Sequence, residues 1–175
     1  MDQSARADVS LTEGSFVMRT RAMLGIGASC LLAACAHQGD GGGIAGMAWS
    51  LHHTETEGAK LAYGQPASDN VVLMLSCRPQ SGRVLVALAA PAGTTPNAIE
   101  LKSRRQSTRL PGAAAPGLGE GAIVEAEATV ADPALRSFAR TGDIAIVERG
   151  QPAKLPAGRA EKVAVADFFA QCRPA

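Results

Sequence analysis

From Ile123 to Val130 the apolar residues Val124, Ala126, Ala128 and Val130 alternate with Glu125, Glu127 and Thr129. That period of two is the geometry of a half-buried β-strand and cannot serve an amphipathic helix. Ile99-Glu100-Leu101-Lys102-Ser103 repeats the pattern, and Gln106 to Leu110 is expected to pair with it across an Arg104-Arg105 turn. Val71 to Cys77 is a β-branched apolar run flanked by turn formers: Pro66 and Asp69-Asn70 before, Pro79-Gln80-Ser81-Gly82 after. Arg83 to Leu88 then returns, which predicts a hairpin. Trp49–Thr54, Lys60–Tyr63 and Asp143–Glu148 complete the predicted strands, while the Gly/Ala/Pro-rich stretch 112–121 reads as a loop.

Two helices are predicted among these strands. Asp132-Pro133 supplies a cap and a first-turn proline; Leu135, Phe138 and Ala139 share a face, and Gly142 ends the helix. From Val163 to Cys172, the residues Val165, Phe168, Phe169 and Cys172 recur at three- and four-residue spacing. The expected fold is mainly β: a small antiparallel sandwich or open barrel with one or two short helices. Only 3% of the 175 residues are aromatic, so the core is expected to be aliphatic rather than built from rings.

The front of the chain carries an address. Arg19 and Arg21 precede an uncharged apolar run from Ala22 to Leu32, and Ala33-Ala34-Cys35 follows. This is the order of an export signal: positive start, apolar core, small-residue cleavage site. The run is shorter than the roughly 20 residues a membrane-spanning helix requires. Leu32-Ala33-Ala34-Cys35 resembles the lipobox of bacterial lipoproteins, in which the cysteine after a small-residue triplet is lipidated and becomes the first residue. The resemblance implies cleavage before Cys35, a lipid anchor on it, and residues 18–34 as signal peptide. With Ala36 rather than Asp next, it further implies sorting to the outer membrane, facing the periplasm, with the membrane itself as one partner. Residues 1–17 contain Asp2, Asp8 and Glu13, where a signal wants positive charge, so they are expected to be a wrongly assigned start ahead of Met18. Residues 35–48 form a Gly-rich tether and 49–175 a single β-rich domain.

Cleavage would remove Cys30 and lipidation would occupy Cys35, leaving Cys77 and Cys172. An even pair in an exported domain reads as one disulfide, here stapling the last helix to the strand that bears Cys77. No Cys-X-X-Cys motif and no neighbouring histidine favours a redox or nucleophilic role.

Function is written far more faintly. Lys+Arg and Asp+Glu nearly balance, at 17 and 16, and few aromatics are present for base stacking, so nucleic acid is not an expected partner. His52-His53 with Glu55 and Glu57 is the one cluster of metal-ligand residue types, but adjacent strand residues point to opposite faces, and no metal or cofactor is expected. Ser76, Ser81 and Ser103 lack a nucleophile-elbow motif, and Gly117–Gly121 lacks the Lys-Ser/Thr ending of a phosphate loop. Glu125 and Glu127 share a strand face that the alternation assigns to solvent. No catalytic residue is therefore expected. Arg104, Arg105 and Arg109 form the densest charge cluster and are the candidate ligand-binding group, since guanidinium forks bind carboxylates and phosphates.

The expected role is a non-enzymatic envelope lipoprotein that binds an envelope protein or cell-wall component. An alternative is an inhibitor of an attacking hydrolase, because the chain is similar to membrane-bound lysozyme inhibitors, small β-barrel lipoproteins with one cysteine on an early strand and another near the carboxyl end. It departs from them in lacking their Ser-Gly-x-x-Tyr signature and in ending on a helix, so none of their inhibitory residues is carried over. A hydrolase is the third reading.

Overall fold

The structure, a computed structural model, describes residues 42–55, 57–117 and 121–175. The expected signal, Cys35 and residues 1–17 lie outside the described residues. Nine strands and two helices follow in the order β1 (Ala48–Thr54), β2 (Gly58–Gly64), β3 (Val71–Cys77), β4 (Arg83–Ala90), β5 (Ala98–Ser103), β6 (Gln106–Pro116), β7 (Ala122–Thr129), α1 (Pro133–Thr141), β8 (Asp143–Glu148), β9 (Gln151–Pro156) and α2 (Arg159–Cys172).

All nine strands belong to one antiparallel sheet, ordered β1-β2-β3-β4-β7-β6-β5-β8-β9, which curls into a half-barrel. Of the two architectures the sequence allows, this is the open barrel and not the sandwich. Each neighbouring pair is antiparallel, so with an odd number of strands β1 and β9 run the same way. No ladder joins them among the described residues; instead the Trp49 indole N–H donates to the Leu155 carbonyl at 3.1 Å. One side-chain bond thus bridges the seam where the curled edges approach.

The alternation decides which face is inside. Leu61, Leu75, Val86 and Ala126 stand opposite one another across β2, β3, β4 and β7 and are buried, whereas Lys60, Ser76, Leu85 and Glu127 form the outward row beside them. Both helices pack on the inner side: Leu135 and Phe138 of α1 and Val165, Phe168, Phe169 and Cys172 of α2 join the inward strand residues in one core.

That core corrects the aliphatic expectation. Trp49, Tyr63, Phe138, Phe169 and Phe168 form a chain of rings, with successive centroids 5.2, 4.9, 5.9 and 5.2 Å apart, and the last two contacts are edge-to-face (Trp49 meets both Tyr63 and Phe138). The few aromatics are concentrated at one place, where large, stiff side chains fill the space between sheet edge and helices. Burial raises the Tyr63 phenol above its ordinary pKa, an effect opposed by a backbone hydrogen bond from Ile44 and reinforced by the Glu161 charge.

Two strand expectations need correction. The 112–116 stretch is no loop: β6 pairs with β5 up to Pro111 and then, from Gly112 to Pro116, with β7. The partner change makes a corner at Gly112, where a Cβ would lie 2.7 Å from the Glu125 carbonyl oxygen, so only glycine lets the backbones approach. β9 was unpredicted because Pro152 and Pro156 break the strand pattern; proline is tolerated there because β9 is an edge.

Helix termini differ from expectation in detail. Gly142, at φ 71°, ends α1 by donating its N–H to Phe138 at 2.8 Å, as its position predicts. Asp132 does not cap the first turn. Its carboxylate accepts the Thr129 N–H at 2.7 Å, while Thr108 on β6 accepts the Ala134 N–H at 3.1 Å. α2 begins four residues before the predicted Val163, and the Glu161 carboxylate accepts the Gly158 N–H at 3.0 Å in its first turn.

Cys77 and Cys172 are disulfide-bonded, with Cα atoms 5.8 Å apart across a separation of 95 residues. Around this bond the β3–β4 turn supplies donors to the exposed carbonyls of the helix end: Gln80 N–H to Gln171 and Gly82 N–H to Cys172, both at 2.8 Å. Replacing both cysteines by serine is expected to lower stability by about 2–5 kcal/mol, the usual cost of losing a native disulfide in a small domain. Urea titrations of parent and double variant, each under oxidising conditions, check this; equal midpoints would mean the turn contacts alone hold α2.

Candidate functional site

The β5–β6 hairpin is closed by Ser103 and Gln106, leaving Arg104 and Arg105 as a two-residue turn. Arg104 has φ 56°, a left-handed conformation that is unfavourable for a bulky side chain. Its guanidinium is 2.6 Å from Asp143 Oδ2 at the start of β8. Arg105 is exposed beside it, and Arg109 stands opposite Glu100, about 10 Å along β6 from the turn. The three candidate arginines therefore do not converge: one is tied to a carboxylate, one faces a glutamate in the register, and one lies at the hairpin tip.

The surface next to the turn holds a groove of about 430 Å³ that the sequence did not disclose. Lys102, Ala145 and Lys154 form a single outward row across β5, β8 and β9, with Ser107 of β6 continuing it. Arg104 and Asp143 close one end, and Pro152 and Pro156 stand along the β9 rim. Three cations and one carboxylate give the groove a surplus of positive charge. Lys102 and Lys154 lie 52 positions apart in sequence, and only the β5–β8–β9 pairing brings them together. The alternation in β5 announces that Lys102 faces outward; nothing local announces Lys154.

A second groove, of about 690 Å³, lies over β2, β3, β4 and β7. Its lining carries as many cations as carboxylates, with Lys60 paired to Glu57 at 2.6 Å and Arg83 to Glu127 at 2.5 Å, while Arg78 and Glu125 line it outside those pairs. Glu125 and Glu127 are exposed on its rim, as the alternation predicts, and Glu127 is held by Arg83. His52 is hydrogen-bonded to Ser50 at 3.0 Å on the edge strand β1, and His53 is exposed on the opposite face. Among the described residues no three metal-ligand side chains converge, and no helix is long and apolar enough to cross a membrane.

Ser103 and Ser137 are the two buried polar side chains of the described core. Ser103 donates to the Asp143 carbonyl at 2.6 Å, and the two hydroxyls lie 2.9 Å apart, so Ser137 spends its proton on Ser103. Their place among β5, α1 and β8 makes them a polar stitch beneath the groove, with no histidine at hand to activate either.

Ser103→Ala is expected to cost about 1–3 kcal/mol in a thermal or urea titration, because it leaves buried partners unsatisfied. Arg104→Gly is expected to remain within about 1 kcal/mol of the parent: relief of the left-handed strain offsets a surface ion pair of small value. A loss well beyond that would show that the Arg104–Asp143 pair organises the hairpin. No family model matches the chain, and no curated protein and no solved structure gives a match to it.

Proposed function

We propose that the chain is a bacterial lipoprotein of the outer membrane, held by lipid on Cys35 and facing the periplasm, whose β domain is a non-enzymatic binding module. The observation that carries this reading is the use of the four cysteines. One falls within the apolar signal, one ends the small-residue triplet, and the remaining two are joined as Cys77–Cys172. A structural disulfide belongs to an oxidising compartment, which is where an export signal delivers a chain. The binding role is supported by a groove on the outer sheet face whose lining carries more positive than negative charge.

Intact mass of the protein extracted from native membranes, measured with and without reductant, tests the reading. The expected species is residues 35–175 carrying diacylglyceryl and acyl groups, heavier by two hydrogens after reduction. An unlipidated species that retains residues 18–34 would overturn the anchor, the location and the cleavage site together.

A further inference from the structure

We propose that the outer groove between Lys102 and Lys154 binds a phosphate group, and that these two lysines, rather than the arginine turn, are the ligand-holding residues of the domain. The inference rests on the reading of the domain as a binding module. Neighbouring strands in a sheet are about 4.8 Å apart, so two lysines on one row with a single strand between them have Cα atoms about 10 Å apart. Between them lies Ala145, a buried residue whose small methyl group lines the groove. Four-carbon stems on either side allow both ammonium groups to close on one compact anion in that space.

No carboxylate forms an ion pair with either lysine among the described residues; Glu100, two positions before Lys102 on the same face of β5, stands opposite Arg109. The cross-strand partners of Lys102 are Ser107 and Ala145, and that of Lys154 is Ala145, with the sheet ending at β9. Neither lysine takes part in an ion pair among the described residues, and the one carboxylate of the groove, Asp143, is engaged by Arg104. Two like charges on one row of a sheet do nothing for stability. An acidic residue at either position would have satisfied the other, and a choice that departs from local stability marks a site made for something else.

Phosphate fits the donors better than carboxylate. The groove's guanidinium fork, the planar partner that a carboxylate prefers, is occupied by Asp143. What remains are two point charges with rotatable donors, which suit a tetrahedral, doubly charged group. Such a group can come from a lipid headgroup or from a phosphorylated glycan; both present the same oxygens to the lysines.

The test uses the full chain extracted in dodecyl maltoside and titrated calorimetrically with pyrophosphate at low salt. Saturable binding in the millimolar range or tighter is expected, weakened by about tenfold or more in Lys102→Gln/Lys154→Gln and unchanged in Lys60→Gln, a lysine of β2 that lines the second groove. Both groove lysines are exposed, so the double variant keeps the parent's thermal midpoint, measured on the same samples. Malonate at equal ionic strength binds far more weakly than pyrophosphate. Equal pyrophosphate affinity in the double variant and the parent would overturn the site, and malonate binding as tightly as pyrophosphate would overturn the ligand class. Displacement of pyrophosphate by short-chain phosphatidic acid assigns the phosphate to lipid, displacement by glucose 1-phosphate assigns it to a glycan, and failure of both overturns the proposal. The membrane-extract mass decides the anchor independently of every one of these outcomes.

Discussion

A curled sheet of nine alternating strands has a seam that its own backbone cannot zip as an antiparallel pair, and Trp49 is the residue that spans it. Its indole N–H reaches the Leu155 carbonyl on the opposite edge, and its ring joins Tyr63 on one side to Phe138, Phe169 and Phe168 on the other. The same side chain therefore fixes the curvature and seats both helices. Phe138 places α1, and Phe168 and Phe169 place α2, whose far end is then locked to β3 by the disulfide. Without that curvature the inward faces of β2–β4 and β5–β8 would not meet the helices from two sides.

The outer surface follows from the inner one. Because alternation assigns every second residue inward, the outward rows are free to carry charge, and the two grooves divide it differently. Over β2, β3, β4 and β7 each described cation of the groove's ion pairs has its acid alongside, Lys60 with Glu57 and Arg83 with Glu127. Over β5, β8 and β9 the only ion pair among the described residues is Arg104 with Asp143, and two lysines remain on either side of a methyl group. A nearly neutral chain can thus hold a local positive site that its net charge does not reveal.

Much of the fold was legible because most strands are half buried. β3 and β8 have the predicted bounds, the β3–β4 and β5–β6 hairpins pair as expected, and the cysteines join. What failed had a physical cause in each case. The second half of β6 is Gly, Ala and Pro, a composition that reads as loop, yet a corner needs small residues and neighbouring β7 supplies the pairing. β9 escaped notice because its prolines are admissible only at an edge, and edges are a property of the assembled sheet. The aromatic core was hidden because scarcity in composition says nothing about clustering in space. For the site, the arginine turn was visible as adjacent letters, whereas Lys154 joins Lys102 only through β8, a relation that no local window contains.

The order of the sheet has a kinetic consequence. β4 pairs with β7 rather than with β5, the seam bond links positions 106 residues apart, and the disulfide spans 95. Such non-local pairing puts the domain among slow folders, since loop closure must precede any reward from contact. Few stable intermediates are available to the front half alone, because β4 lacks its neighbour and Cys77 its partner until the last third of the chain is present. For a chain proposed to cross a membrane before it folds, that delay is an advantage: the sequence stays unfolded and threadable until β7, α1 and α2 arrive to complete the sheet and its core.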